Sequence, residues 1–242
     1  MAVLEVAGVS VLFGGVLALD EVELGVEAGQ VTGLIGPNGA GKTTLFNVIC
    51  GLQAPTRGRV VLDGEDVTGH KPYERARRGV GRTFQRLEVF GSMTAYENVR
   101  LGAEIRQQWD RSWPDPDEQA AAVMDRVGLW PVADERADAL PTGLARLVEL
   151  GRALTGGPRV LLLDEPSSGL SEDESDELGD LLRDLAGDGL AILLVEHDVD
   201  LVMAVCDRIH VLDFGHILAV GTPAETRRSD AVQAAYLGTA VA

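Results

Sequence analysis

The stretch GPNGAGKTT, Gly36 to Thr44, constrains the fold more than any other part of the chain. It fits the spacing G-x-x-x-x-G-K-[ST], and its flanks complete the pattern. VTGLI before it reads as a strand, and TTLFNVIC after it as a helix from Lys42 to about Cys50, with Leu45, Phe46 and Ile49 at helical spacing. A strand, a glycine-rich turn and a helix in that order imply an α/β sheet whose strand ends carry the loop. Gly36, Gly39 and Gly41 let the backbone turn tightly, so that several N–H groups point at one anion. The helix that follows adds the positive end of its dipole. Lys42 is placed to bridge outer phosphates, and the Thr43 hydroxyl to ligate Mg²⁺. The candidate phosphate site is therefore Gly36, Pro37, Asn38, Gly39, Ala40, Gly41, Lys42, Thr43 and Thr44.

Lysine usage supports this reading. Of 21 basic residues, only Lys42 and Lys71 are lysine. A sequence so given to arginine keeps a compact, rotatable ammonium at position 42. The formal charge of −17 disfavours contact with phosphodiester backbones, which excludes a general nucleic-acid binder. Cys50 and Cys206 lack metal-like spacing and suggest no disulfide framework, so a reducing compartment is expected. MAVLEVAGVSVLFGG has no basic region and is broken by Glu5 and glycines, unlike a secretory signal. Apolar runs such as AILLV are too short to span a bilayer, so any membrane role is expected to come through a partner.

Along the chain, VLEVAG, EVELGV, VTGLIG and RVVLDG are short β-type runs separated by glycine-rich turns. MTAYENVRLGAEI, DEQAAAVMDRVGL and TGLARLVELGRAL read as helices, and QQWDRSWPDPD between the first two reads as a connector loop. Trp109 and Trp113 in that connector are expected to be buried under the helices. Strand RVLLLD, helix EDESDELGDLLRDLA, strand LAILLVE, helix VDLVMAVC and the hairpin-like RIHVLDFGHILAVG follow. Uninterrupted apolar strands such as VLLL suit a parallel sheet buried on both faces. The fold class is α/β: one domain over 1–242, with a P-loop NTPase core, a β-rich N-terminal subdomain and a helical arm inserted at about 94–157.

RVLLLDEP, Arg159 to Pro166, supplies the second half of a nucleotide site. An apolar strand ending in an acid places Asp164 at the carboxyl edge of the sheet, beside the phosphate loop, where it can hold Mg²⁺. Glu165, one step on, is the natural base for an attacking water. The strand AILLV delivers His197 to the same edge, whereas the other three histidines read as surface or packing residues.

With GPNGAGKTT, VLLLDEP and the histidine of LLVEHD, the chain resembles the ATP-binding-cassette ATPases over nearly its whole length. GVGRTFQ, SMTAYENV and VQAAYLG look most like the ATPase subunits of branched-chain amino-acid importers. The resemblance implies that Phe13 stacks on adenine, that Gln85 touches Mg²⁺ and the attacking water, and that His197 contacts the γ-phosphate. It also implies a Leu-Ser-Gly-Gly-Gln signature that binds the ATP held by a second subunit. Here the matching residues are Leu140, Pro141, Thr142, Gly143 and Leu144. The serine hydroxyl and glutamine amide are missing. Pro141, Thr142 and Gly143 keep a helix start, backbone N–H groups and one hydroxyl. Ser171 in SSGLSEDE is a second, milder departure.

The expected function is that of an ATP-hydrolysing transporter subunit importing amino acids or small polar solutes. Its expected cofactors are ATP and Mg²⁺. Its expected partners are permease subunits, a second ATPase and, indirectly, a solute-binding protein, at the cytoplasmic side of a bacterial membrane. The alternative is an exporter ATPase for lipid or hydrophobic cargo. A soluble ATPase acting on DNA or ribosomes is disfavoured by the charge and by the lack of a second cassette.

Overall fold

The computed structural model describes residues 2–237, so Gly238 of the terminal motif lies outside the described residues. β1 (Ala2–Phe13) and β2 (Val16–Glu27) form a hairpin turned by Gly14 and Gly15, both at positive φ. β3 (Val31–Ile35) leaves this hairpin for a second sheet and leads into α1 (Lys42–Cys50). β4 (Arg57–Leu62) and β5 (Glu65–Asp66) return to complete an antiparallel sheet in the order β2-β1-β4-β5.

The chain continues through α2 (Pro72–Arg77), β6 (Val80–Arg82), α3 (Ala95–Trp109), α4 (Pro116–Arg126) and α5 (Thr142–Thr155). β7 (Val160–Asp164), α6 (Glu172–Gly187), β8 (Ala191–Val195) and α7 (Val199–Val205) then alternate. β9 (Arg208–Asp213) and β10 (His216–Gly221) form the second hairpin, followed by α8 (Pro223–Arg228) and α9 (Asp230–Leu237).

The second sheet has the order β10-β9-β3-β8-β7-β6, parallel except for β10 at its edge. Every residue of β3, β7 and β8 is buried, because helices or the first sheet cover both faces. Each Leu or Ile so covered contributes up to about 1.5–3 kcal/mol. Since β3, β6, β7 and β8 run the same way, the loops that follow them leave from one edge. This topology carries the phosphate loop, Gln85, Glu165 and His197 to a common rim.

Between β6 and β7, α3, α4 and α5 share a third apolar cluster that includes Val99, Met124, Leu129 and Val148. Thr94 and Glu97 close a reciprocal cap on α3. The connector is shorter than its composition suggests. α3 runs through Trp109, and Asp115 caps α4 with Pro116 in the first turn, so only the residues between them are loop. Trp109 and Trp113 are half-buried rather than covered; they flank the Arg106 guanidinium at 4.1 and 4.3 Å. Among the described residues, no helix is long and apolar enough to cross a membrane.

Candidate active site

The phosphate loop is held by its surroundings before any ligand is considered. A Cβ on Gly36 would overlap the Leu212 carbonyl, and one on Gly41 (φ 112°) would lie 2.8 Å from the Ala18 carbonyl oxygen. The backbone must therefore pass too close to β2 and β9 for any side chain at these two positions. Gly41 precedes α1 without a side-chain cap, so the first N–H groups of that helix remain available to an anion. Lys42 is buried and donates from Nζ to the Gly36 and Pro37 carbonyls at 2.6 and 3.1 Å. Burial lowers its pKa, and the Glu165 and Asp164 carboxylates oppose that shift. Thr43 is exposed and Thr44 half-buried.

A cleft of about 350 Å³ opens over this loop. Asn38 to Thr44 line it together with Gln85, Asp164, Glu165 and His197, plus Ala18 and Val195. The phosphate loop, both acids, the glutamine and the histidine thus face one space. Gly36 and Pro37 form the start of the turn, behind the Lys42 ammonium.

Asp164 ends β7 and is buried, which raises its carboxyl pKa; Arg82 works against that rise. Arg82 Nη2 meets Asp164 Oδ2 at 3.2 Å, and its Nη1 donates to Asn47 Oδ1 at 2.9 Å. The Arg82 guanidinium also stacks against Phe84 at 4.7 Å. Glu165 lies in the left-handed region at φ 52°, unusual for a side chain of its size. This turn presents its carboxylate to two partners. Gln85 Nε2 donates to Oε2 at 2.9 Å, and His197 Nε2 approaches Oε1 at 2.8 Å. Gln85 lies three residues past the end of β6.

Arg82 escaped the sequence reading although it stands in the quoted GVGRTFQ. Glu196, buried beside His197, also escaped it. Its two carboxylate oxygens accept from the Ser167 and His197 backbone N–H groups at 2.8 and 3.0 Å, tying the loop after β7 to the loop after β8. A strand ending in two polar residues gave no hint of which one faced inward. Arg146 is a third omission. From α5 it donates to the Phe84 and Gln85 carbonyls at 2.9 and 2.7 Å, anchoring the backbone that carries Gln85.

The remaining site residues lie outside the cleft lining. Phe13 is exposed at the end of β1, opposite Val16 in the hairpin, and Ala18 on the same hairpin does reach the cleft. Pro141 and Thr142 are exposed at the start of α5, and Gly143 is buried against Glu174 of α6. No side chain caps the N-terminus of α5.

Comparison with known proteins agrees with this geometry. Residues 19–168, more than half of the chain, match the ABC transporter family. The chain is 42% identical to the high-affinity branched-chain amino acid transport ATP-binding protein BraF of Pseudomonas aeruginosa, over 98% of each. It is 39% identical to LivG of Escherichia coli K12, which carries the same description, again over 98% of each. Identity to the lipopolysaccharide export system ATP-binding protein LptB of Escherichia coli K12 is 32%, with the same coverage. An ATP-binding cassette of an ABC transporter solved in its ADP conformation superimposes with a TM-score of 0.86 at 31% identity, covering 98% of this chain and 99% of that one. The chain belongs to the ATP-hydrolysing subunits of the ABC transporters.

Proposed function

We propose that this chain powers import of branched-chain amino acids, or of chemically similar small solutes, by hydrolysing ATP in the cleft above Lys42. The observation that carries the catalytic part is the Glu165 carboxylate held between Gln85 and His197 on the rim shared with the phosphate loop. In this reading Gly36 to Thr44 cradle the phosphates, and Lys42 exchanges its two loop carbonyls for phosphate oxygens. Glu165 accepts the proton of the attacking water, Gln85 orients that water, and His197 contacts the γ-phosphate. Phe13, on the hairpin beside the loop, is the adenine contact.

The donor set fits Mg²⁺. Among the described residues no cluster of three or more His, Cys, Asp or Glu could cage a metal. Thr43, Asp164 and Gln85 instead offer a few oxygens, and these are the residues that would hold a magnesium ion. Bound there, the ion would neutralise charge on the transferring phosphate. Asp164 keeps its position through Arg82.

The importer assignment is supported by the higher identity to BraF and LivG than to LptB. The partners proposed are permease subunits at the cytoplasmic face of the membrane, reached through the arm at 94–157, with a solute-binding protein acting on them from outside. A second ATPase completes each ATP site. Because Pro141, Thr142 and Gly143 offer fewer polar groups than an ordinary signature, a different ATPase is the favoured partner. Losing one charge-assisted hydrogen bond there weakens the clamp by roughly 1.5–3 kcal/mol.

The test is uptake. A host strain from which the chain is deleted should lose most high-affinity uptake of labelled L-leucine, and regain it with the wild-type chain but not with Glu165→Gln. Unchanged leucine uptake in the deletion strain overturns the solute assignment. Wild-type ATP turnover by Glu165→Gln overturns the assignment of the base.

A further inference from the structure

The turn that presents Glu165 is gripped from the end of β8. Glu165 lies at φ 52°, a region that side chains of its size occupy only when their surroundings hold them there. Its N–H donates at 2.8 Å to the carbonyl of Val195, the last residue of β8. Two residues on, the Ser167 N–H donates to Glu196 Oε1, also at 2.8 Å. Glu196 directly follows β8, so two adjacent residues at one strand end hold the turn on either side of Pro166.

The other oxygen of the same carboxylate, Oε2, accepts the His197 N–H at 3.0 Å. The His197 side chain is 48% exposed, and among the described residues Glu165 is the sole polar partner of its imidazole, Nε2 to Oε1 at 2.8 Å. With about half its surface in solvent, that imidazole takes its direction from its backbone, which Glu196 fixes. The contacts form a closed circuit. Glu165 meets the His197 imidazole, the His197 N–H meets Glu196, and Glu196 leads back through Ser167 and Pro166 to Glu165.

The residue type matters as much as the place. Glu196 is only 3% exposed, and among the described residues no basic side chain pairs with it. A buried carboxylate without a cation is costly. A glutamine would avoid that cost, but it offers one acceptor oxygen where two N–H groups converge. With both oxygens engaged and no place in the cleft lining, Glu196 is no rival to Glu165 as base. We propose that Glu196 is a positioning residue for hydrolysis, whose two carboxylate oxygens hold the Glu165 turn and the His197 backbone so that base and histidine meet beside the phosphate loop. This role rests on the catalytic reading above, in which Glu165 takes the proton of water and His197 contacts the γ-phosphate.

Glu196→Gln keeps size and shape while turning an amide NH2 towards one of the two N–H groups. MgATP turnover is followed in the transporter that carries the chain, purified from its host. There Glu196→Gln should lower kcat about tenfold and leave KM for ATP within about twofold. Glu196→Asp keeps the charge but is too short to bridge both N–H groups, and should lose a similar amount. Thermal melts check that both variants fold, and Glu196→Asp decides should Glu196→Gln fail to. Glu196→Gln combined with His197→Ala should lose less than the product of the two single losses. In the purified chain, the ring-nitrogen NMR signals of His197, assigned by their absence in His197→Ala, should shift in Glu196→Gln, while those of His70, His210 and His216 stay. Unchanged kcat in the folded variants, a loss confined to KM, multiplied losses in the double variant, or an unmoved His197 signal overturns the role of Glu196. Wild-type turnover by His197→Ala would instead refute the catalytic reading, so the two failures are distinct.

Discussion

His210 gives the sharpest test of the electrostatics beneath the phosphate loop. It lies on β9 level with Leu34 of β3, is buried, and neither ring nitrogen has a hydrogen-bond partner. Burial, helped by nearby Arg208, lowers its pKa from 6.5 to about 4. Below pH 6.5 the unfolded chain binds a proton that the folded chain refuses, so stability is full above that pH and falls as pH drops towards 4. A gap of about 2.5 units corresponds to roughly 3.4 kcal/mol when complete, and to about 2 kcal/mol by pH 5. Asp164 and Glu149 act in the opposite sense. Burial raises their folded pKa values, so acidification relieves a cost they carry at neutral pH. The quantity to measure is therefore a difference between proteins. Urea unfolding of wild type and His210→Leu, followed by tryptophan fluorescence at pH 7.5, 6 and 5, should show the variant gaining on wild type by about 2 kcal/mol across the range. Two stability profiles that stay parallel within about 0.5 kcal/mol would refute the claim that a neutral, unpartnered imidazole is buried at this position.

Other perturbations address the site. Glu165→Gln, expected to slow hydrolysis, should stay monomeric by light scattering with MgATP and pair once an ATPase with an ordinary signature is added; dimers of the variant alone would remove the need for a second ATPase. Arg82→Met leaves Asp164 buried without its ion pair and should cost about 3–5 kcal/mol in denaturant unfolding. A loss below about 1 kcal/mol would mean that Asp164 is neutral or hydrated there. Gly143→Ala places a Cβ 2.6 Å from Oε1 of Glu174, the carboxylate whose Oε2 closes the Ser171 cap of α6, so a cost of about 1–3 kcal/mol is expected in the same assay. Lys42→Ala should abolish binding of a fluorescent ATP analogue while leaving the thermal midpoint within a few degrees; retained affinity would argue against phosphate contact by Lys42.

The sequence made the two sheets readable because their signals are local. VLLLD and AILLV are apolar throughout, as strands covered on both faces must be, and they emerge as β7 and β8. The helix expected from Lys42 to Cys50 has those bounds in the structure. α2 and β6 went unread because PYERARRGVGR is too short and polar to display either period. In the site, residues that fit a spaced motif could be named, and the cleft gathers Lys42, Gln85, Asp164, Glu165 and His197. Residues that hold those groups could not. Arg82, Glu196 and Arg146 act across 82, 29 and 61 positions of chain, respectively, towards Asp164, Ser167 and Gln85, and no pattern of neighbours encodes such distances.

The scarcity of lysine has a practical consequence. Lys42 and Lys71 carry the only ε-amines of the chain, and Lys42 lies folded onto the loop carbonyls with its pKa lowered. Amine-directed chemistry on this protein is therefore close to a single-residue footprint of the phosphate loop. Mass spectrometry after brief acylation, with and without nucleotide, reads occupancy of the cleft at one peptide, with Lys71 as the internal reference. The same property warns against amine coupling to sensor surfaces: given time, the label that attaches the protein reaches the lysine proposed to hold the phosphates.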